Sequence, residues 1–405
     1  MEHPTAIIQI NDSKIKLIIG NVIDNKPVLI YSTERDISQI VERGQIKNFI
    51  SLTEIIRSLA NICDEEAKLR IKISDTIVIL PPTGFKVYES EKFTNVTSDS
   101  NFIQKLDIDN LVSMVRKEPI DNDSLIVDII PDAYYLNNGE TYHIPPIGKV
   151  SSNLAMKAKV QTMPNSVVNT YQQPFISSGI RVRNFVIEPY AISSLIKTKK
   201  DYPNSYLLVS IEDGITSLTL VSNNAPIQSA YFELGLKDLV ETVSSYFSIS
   251  ENEAYNYIRL YGINDRELNF EPIIIKSKNE IGKDLNYTPA DLNNVIKTFM
   301  DRYLKQLGAS YNALLNGYLV TVKKAPVVFS GEFTEINGVN KILRNFFNEA
   351  NEKYFLCSDV VGARKSSYNA VIGALLTSSM YKGSLSDQRA TVASVDRVKD
   401  SKKQK

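Results

Sequence analysis

The chain has 405 residues, enough for two substantial cores, and its 43% hydrophobic and 23% charged residues have the balance of a globular protein. Its 46 basic and 46 acidic side chains cancel, which argues against nucleic acid as the main partner, because neutralising phosphates needs a basic excess. Two cysteines (Cys63, Cys357) and two histidines (His3, His143) have no zinc-site spacing and make no disulfide framework, and no apolar run approaches the roughly 18 residues that span a bilayer.

Three short aliphatic runs, 6–10, 15–21 and 27–32, predict strands, with a polar turn at Asn11-Asp12-Ser13. From Ser51, apolar positions through Cys63 recur at helical spacing, and Ser51 with Glu54 has the form of a capping box. Runs 76–80 and 124–130 predict strands ended by Pro81-Pro82 and Pro131, with one helix near 106–116 between them. A second strand, turn, strand unit follows at 205–210, Glu212-Asp213-Gly214 and 216–221, repeating the N-terminal hairpin in kind. Helices are expected at 236–247, 251–261, 291–315 and 368–380, with a strand at 325–329 before Ser330-Gly331-Glu332. After Gly383 the sequence turns polar and charged and reads as a disordered tail.

Four short motifs carry a resemblance along nearly the whole chain: Asp132-Ala133-Tyr134-Tyr135-Leu136, Pro146-Ile147-Gly148, Ser178-Gly179-Ile180-Arg181-Val182 and Glu188-Pro189-Tyr190-Ala191. Arg43-Gly44-Gln45-Ile46, Tyr261-Gly262 and the run from Tyr368 to Leu376 add to them. In this order they resemble FtsA, the actin-like bacterial division family. The resemblance implies an α/β, two-lobed actin-like (ribonuclease H-like) fold with a small inserted α+β subdomain in the first lobe. Its expected boundaries are 1–76, 164–200 and 365–383 for the first lobe, 77–163 for the insertion and 201–364 for the second lobe, with an outer subdomain at about 237–320 and a tail at 384–405.

The resemblance also places a nucleotide between the two turns, at Asn11, Asp12, Ser13, Lys14, Gly214, Ile215, Thr216, Gly235, Gly331 and Glu332. Each segment departs from the family pattern. The first turn, D-I-G-S-S-K in the family, reads Gln9-Ile10-Asn11-Asp12-Ser13-Lys14 and lacks the metal carboxylate, although Asn11 and Asp12 still make a tight turn. Lys14 reads equally as a phosphate ligand or a solvated strand lysine. The second turn, D-I-G-G-G-T-T-D in the family, reads from Ser210 to Ser217 with Glu212 and Asp213 in place of glycines. Each acid would repel a polyphosphate within about 4 Å by roughly 1 to 4 kcal/mol. The family's T-G-G-G-A becomes Ser330-Gly331-Glu332-Phe333-Thr334, and its ribose-holding Glu and Lys fall on Tyr255 and Ile258. The expected consequence is weak or lost binding of ATP with magnesium, and no other catalytic constellation replaces it.

The N-terminus, Met1-Glu2-His3-Pro4, lacks the form of a signal peptide, so the expected location is the cytoplasm, and the resemblance sharpens this to the inner face of the cell membrane at the division site. It implies the FtsZ C-terminal tail and a self-polymer as partners. The tail from Gly383 has few apolar residues and no aromatic one, so membrane contact is expected to be weak or indirect, aided by Arg397, Lys399, Lys402, Lys403 and Lys405. Two other readings share the fold: a working ATP-binding polymer or ATPase, and a platform protein of pilus assembly similar to PilM.

Overall fold

The computed structural model describes residues 4–65, 68–264, 272–278, 284–316, 324–381 and 393–397. The chain opens with β1 (Thr5–Ile10), β2 (Lys14–Ile23) and β3 (Lys26–Asp36), a small ribbon of β4 (Val41–Glu42) and β5 (Gln45–Ile46), helix α1 (Phe49–Ala60), then β6 (Asn61–Asp64), β7 (Leu69–Ile73) and β8 (Asp75–Leu80). An insertion follows with β9 (Lys86–Asn95), α2 (Lys105–Arg116), β10 (Ser124–Leu136), β11 (Thr141–Tyr142) and β12 (Asn153–Pro164). Then α3 (Asn165–Ser178), β13 (Arg181–Ile187) and α4 (Glu188–Ile196) return to the first lobe.

The second lobe carries β14 (Tyr206–Ile211), β15 (Thr216–Ser222), β16 (Ala225–Phe232), α5 (Leu236–Phe247), α6 (Glu251–Tyr261), β17 (Ile275–Lys278), β18 (Asp284–Tyr287), α7 (Pro289–Leu315), β19 (Val327–Ser330), α8 (Val339–Phe346) and β20 (Lys353–Phe355). The chain then crosses back as α9 (Asn369–Tyr381). Ala393–Arg397 forms β21, paired antiparallel with β7 so that Val395 lies opposite Ile71. Those five residues fall within the stretch expected to be disordered; the rest of that expected tail lies outside the described residues.

The two lobes repeat one topology. The first sheet runs β3-β2-β1-β8-β13 and the second β16-β15-β14-β19-β20. In each, an antiparallel meander of three strands is extended by two parallel strands. β1 and β14 are buried along their whole length, as expected of central strands covered on both faces. Helices α4 and α9 lie between the sheets, where Ile7, Ile18 and Ile79 of one and Leu208 and Val328 of the other share a core with Ile192, Val371 and Leu375. The packing is close: a Cβ on Gly373 of α9 would stand 1.7 Å from the Ala191 carbonyl oxygen of α4. This layer holds the two hairpin turns, 11–13 and 212–215, against each other.

Four details differ from the sequence reading. Helix α1 starts at Phe49, capped by Asn48, whose side chain accepts a bond from the Ser51 N–H (3.0 Å), so Ser51 lies inside the helix. Ile62 and Cys63 leave the helix to form β6. β10 continues through Pro131 to Leu136, and the proline sits at a break in register between Pro131 and Ala133, where a missing N–H costs no ladder bond. The boundary expected at residue 77 falls within β8, which belongs to the first-lobe sheet; the insertion's own sheet is β11-β10-β12-β9.

Candidate functional site

The facing turns close on each other through side chains. The Asn11 amide donates to the Glu212 carboxyl group at 3.0 Å, and Ser13 donates twice to Asp213 Oδ2, from its N–H at 3.1 Å and its hydroxyl at 2.6 Å. Asp12 turns back into its own lobe, where its carboxylate accepts bonds from the N–H groups of Arg43 and of Gly44 (3.0 Å). Arg43 has φ of 51° and Gly44 of 70°, a left-handed pair that aims two successive amides at one anion. Gly214 packs on this carboxylate from the other lobe: a Cβ there would stand 2.2 Å from Asp12 Oδ2.

Beneath the second turn, the N-terminus of α5 is already engaged. Leu236 and Lys237 donate their N–H groups to the carbonyls of Glu212 (3.1 Å) and Asp213 (2.8 Å). A Cβ on Gly235 would lie 2.1 Å from the Glu212 carbonyl oxygen, so only glycine fits. Gly331 has φ of 103° and presses on the Ile211 carbonyl, where a Cβ would come to 2.1 Å. Thr216 faces away from the cleft: its hydroxyl donates to the Leu234 carbonyl (2.7 Å) and shares a bond with the Tyr303 hydroxyl (2.9 Å) inside the second-lobe core.

Lys14 and Glu332 form a separate group. Lys14 Nζ lies 3.8 Å from Glu34 and 3.7 Å from Glu332, above the Tyr255 ring. The Tyr255 hydroxyl donates to Glu332, and the Arg259 guanidinium stacks over the same ring. Burial pushes the Glu332 carboxyl up, but Tyr255, Lys14 and Lys16 outweigh it and leave it below the ordinary range. Ile258 is buried in the second-lobe core, and Glu253 caps α6 through Ser250.

Between the turns remains a cavity of about 20 Å³, lined by Ile10, Asn11, Asp12, Gly44, Pro81, Pro82, Glu188, Glu212, Asp213, Gly214 and Ile215. Four of these residues carry carboxyl groups. Burial raises Glu188 and Glu212 well above the usual carboxyl range, even though Ser210 donates to Glu188 (2.7 Å) and Lys16 lies close enough to oppose the shift in both. Asp12 is also raised by burial, against the two amides it accepts from. Gln9, at the family's metal-carboxylate position, is buried opposite Lys16 on β2 and does not line the cavity.

Arranged in this way, these residues leave little space between the turns for a polyphosphate with magnesium. The cavity has room for about one water molecule, the donors of the first turn are bonded to Glu212 and Asp213, and further negative charge would meet carboxyl groups whose ionisation burial already disfavours. Of the ten positions expected at a nucleotide, Asn11, Asp12, Gly214 and Ile215 line the cavity, and Ser13 is bonded to a residue that does. Gly235 and Gly331 pack against the second turn, Lys14 and Glu332 pair with each other outside the cavity lining, and the Thr216 hydroxyl is bonded to Leu234. Sequence reasoning did not assign Lys16, Arg43 or Glu188 to the site; the two last lie within motifs already noted, but the burial of Glu188 and the contacts of both arise only from long-range packing.

No family model matches the chain. The cell division protein FtsA of Buchnera aphidicola (subsp. Baizongia pistaciae) is 24% identical over 389 residues, covering 94% of this chain and 88% of the relative. FtsA of Helicobacter pylori 26695 is 19% identical over 93% of this chain and 82% of its own length. The match to FtsA of Streptococcus pneumoniae D39 is also 19% identical and takes in 74% of this chain and 65% of that protein. Among solved structures, a PilM–PilN type IV pilus biogenesis complex superposes with a TM-score of 0.59 at 15% identity, over 92% of this chain and 97% of the other. MreB 5 of Spiroplasma citri bound to AMPPNP gives 0.53 at 10% identity, over 94% and 98%.

The duplicated sheets, the helices between them and the facing turns define a two-lobed protein with an actin-like fold. Within that class the chain is a divergent FtsA-like protein.

Proposed function

We propose that this protein is a cell-division scaffold of the FtsA type, one that links filaments of an FtsZ-like partner to the division machinery or membrane and in which nucleotide binding is weak or lost. The observation that carries the second part is the pairing of Ser13 with Asp213 and Asn11 with Glu212 across the cleft, in the space that the family resemblance assigns to a phosphate chain. The partner assignment is supported by the curated FtsA relatives.

Both parts are tested on the purified full chain. Co-sedimentation with FtsZ filaments from the same cell, and binding of the FtsZ C-terminal tail peptide, are the expected results for the scaffold role. Failure of both removes that role while leaving the fold. If the chain instead binds the short cytoplasmic segment of a pilus membrane protein, the platform role replaces it.

A further inference from the structure

Four contacts across the cleft pair a donor or cation of the first lobe with a carboxyl group of the second, although the first lobe also carries Asp12, Glu34 and Glu188 near the cleft. The first lobe contributes hydrogen-bond donors and cations, Asn11, Ser13, Lys14 and Arg43. The second lobe answers each with a carboxyl group: Glu212 to Asn11, Asp213 to Ser13, Glu332 to Lys14 at 3.7 Å, and Glu233 to Arg43 at 3.1 Å. The Arg43 pair is largely exposed and adds little by itself. The contacts at the turns are of another kind. Asp213 takes two donors from Ser13 at one oxygen, and both Glu212 and Asp213 are buried. A hairpin turn that presents an N–H and a hydroxyl to one oxygen is an anion cradle.

We infer that Asp213, with Glu212 beside it, is the built-in ligand of this cradle: a carboxylate held by the first turn in place of a phosphate, which keeps the two lobes closed without nucleotide. The inference rests on the scaffold reading for its biological sense and on the cleft geometry for its substance. A polyphosphate between two lobes joins them only while it is bound. A side-chain carboxylate supplied by one lobe and bound by the other is present at all times, so closure becomes a fixed property of the chain. A scaffold that must hold one shape is then insensitive to nucleotide supply.

The chain carries its own reporters. Cys63 on β6 of the first lobe and Cys357 beyond β20 of the second are both exposed and accept one spin label each. Pulsed electron–electron resonance on the doubly labelled full chain should give one narrow distance distribution that 5 mM ATP with magnesium (roughly a thousandfold above micromolar affinity) leaves unchanged. Asp213→Ala should lengthen and broaden it, and Ser13→Ala, which removes a donor from the opposite lobe, should move it the same way. If either variant fails to fold by circular dichroism, the other decides. A wild-type distribution that is broad and narrows with ATP and magnesium overturns the inference, as do folded variants with an unchanged distribution. Binding to FtsZ filaments is a separate readout, so loss of the partner role would leave this result standing.

Discussion

Ser13 and Asp213 lie 200 positions apart in the chain, yet the N–H and hydroxyl of one both reach a single carboxylate oxygen of the other. The sign of a substitution here separates two accounts. If Asp213 were only a leftover acid in an acidic cleft, replacing it would relieve repulsion and stabilise the fold. As the ligand of two donors, its replacement by alanine should cost about 2 kcal/mol, the range of hydrogen bonds to a charged group. Denaturant unfolding of Ser13→Ala, Asp213→Ala and the double variant should give a coupling energy of about 1 kcal/mol or more; additive effects would contradict the contact.

The buried glutamates set a pH dependence. Glu188 and Glu212 hold their protons more tightly in the folded chain than in the unfolded one, because burial disfavours their charged forms. A raised folded pKa gives stability that is complete below the ordinary glutamate value of 4.5 and is lost as pH rises toward about 8, the value to which Glu212 is pushed. The melting temperature should therefore fall between pH 5 and pH 8. Glu212→Gln, which keeps an acceptor for Asn11 but cannot ionise, should fall less; equal slopes would contradict the assignment.

Gly331 is needed for two reasons at once, a φ of 103° and the contact with the Ile211 carbonyl. Gly331→Ala should cost about 3 kcal/mol. Gly139 has φ of 85° but nothing within 4 Å of a Cβ, so Gly139→Ala should cost only about 1 kcal/mol. Unfolding curves of the pair separate backbone strain from crowding.

Thr216 is among the positions where the resemblance places a nucleotide, and in the structure its hydroxyl bonds to Leu234 and Tyr303 in the core. Thr216→Val should destabilise by about 1 to 2 kcal/mol and leave any response to ATP with magnesium as in wild type. A change in that response would return Thr216 to the cleft.

Much of the fold was legible because it is written in local pattern. The ends of α5 and α6 at Leu236, Phe247, Glu251 and Tyr261 coincide with the reading from apolar spacing, and the repeated hairpins were visible as two aliphatic pairs around polar turns. Where a local rule had a competitor the reading slipped: Asn48 took the cap that Ser51 and Glu54 resembled, and Pro131 was absorbed at a register break instead of ending its strand. In the candidate site, the losses at Gln9, Glu212 and Asp213 could be read directly. Where those acids would point could not, because the partners Asn11 and Ser13 reach them only after both lobes have packed on α4 and α9. For the same reason the contacts of Lys14 with Glu332 and of Thr216 with Tyr303 could not be read from the sequence.

Isothermal titration of ATP with magnesium into the purified full chain measures directly whether the cleft takes a nucleotide. The expected result is no detectable heat, with a melting temperature unmoved by saturating ATP. Binding at micromolar strength would contradict it, because Ser13 and Asn11 would then have to release Asp213 and Glu212 to make room.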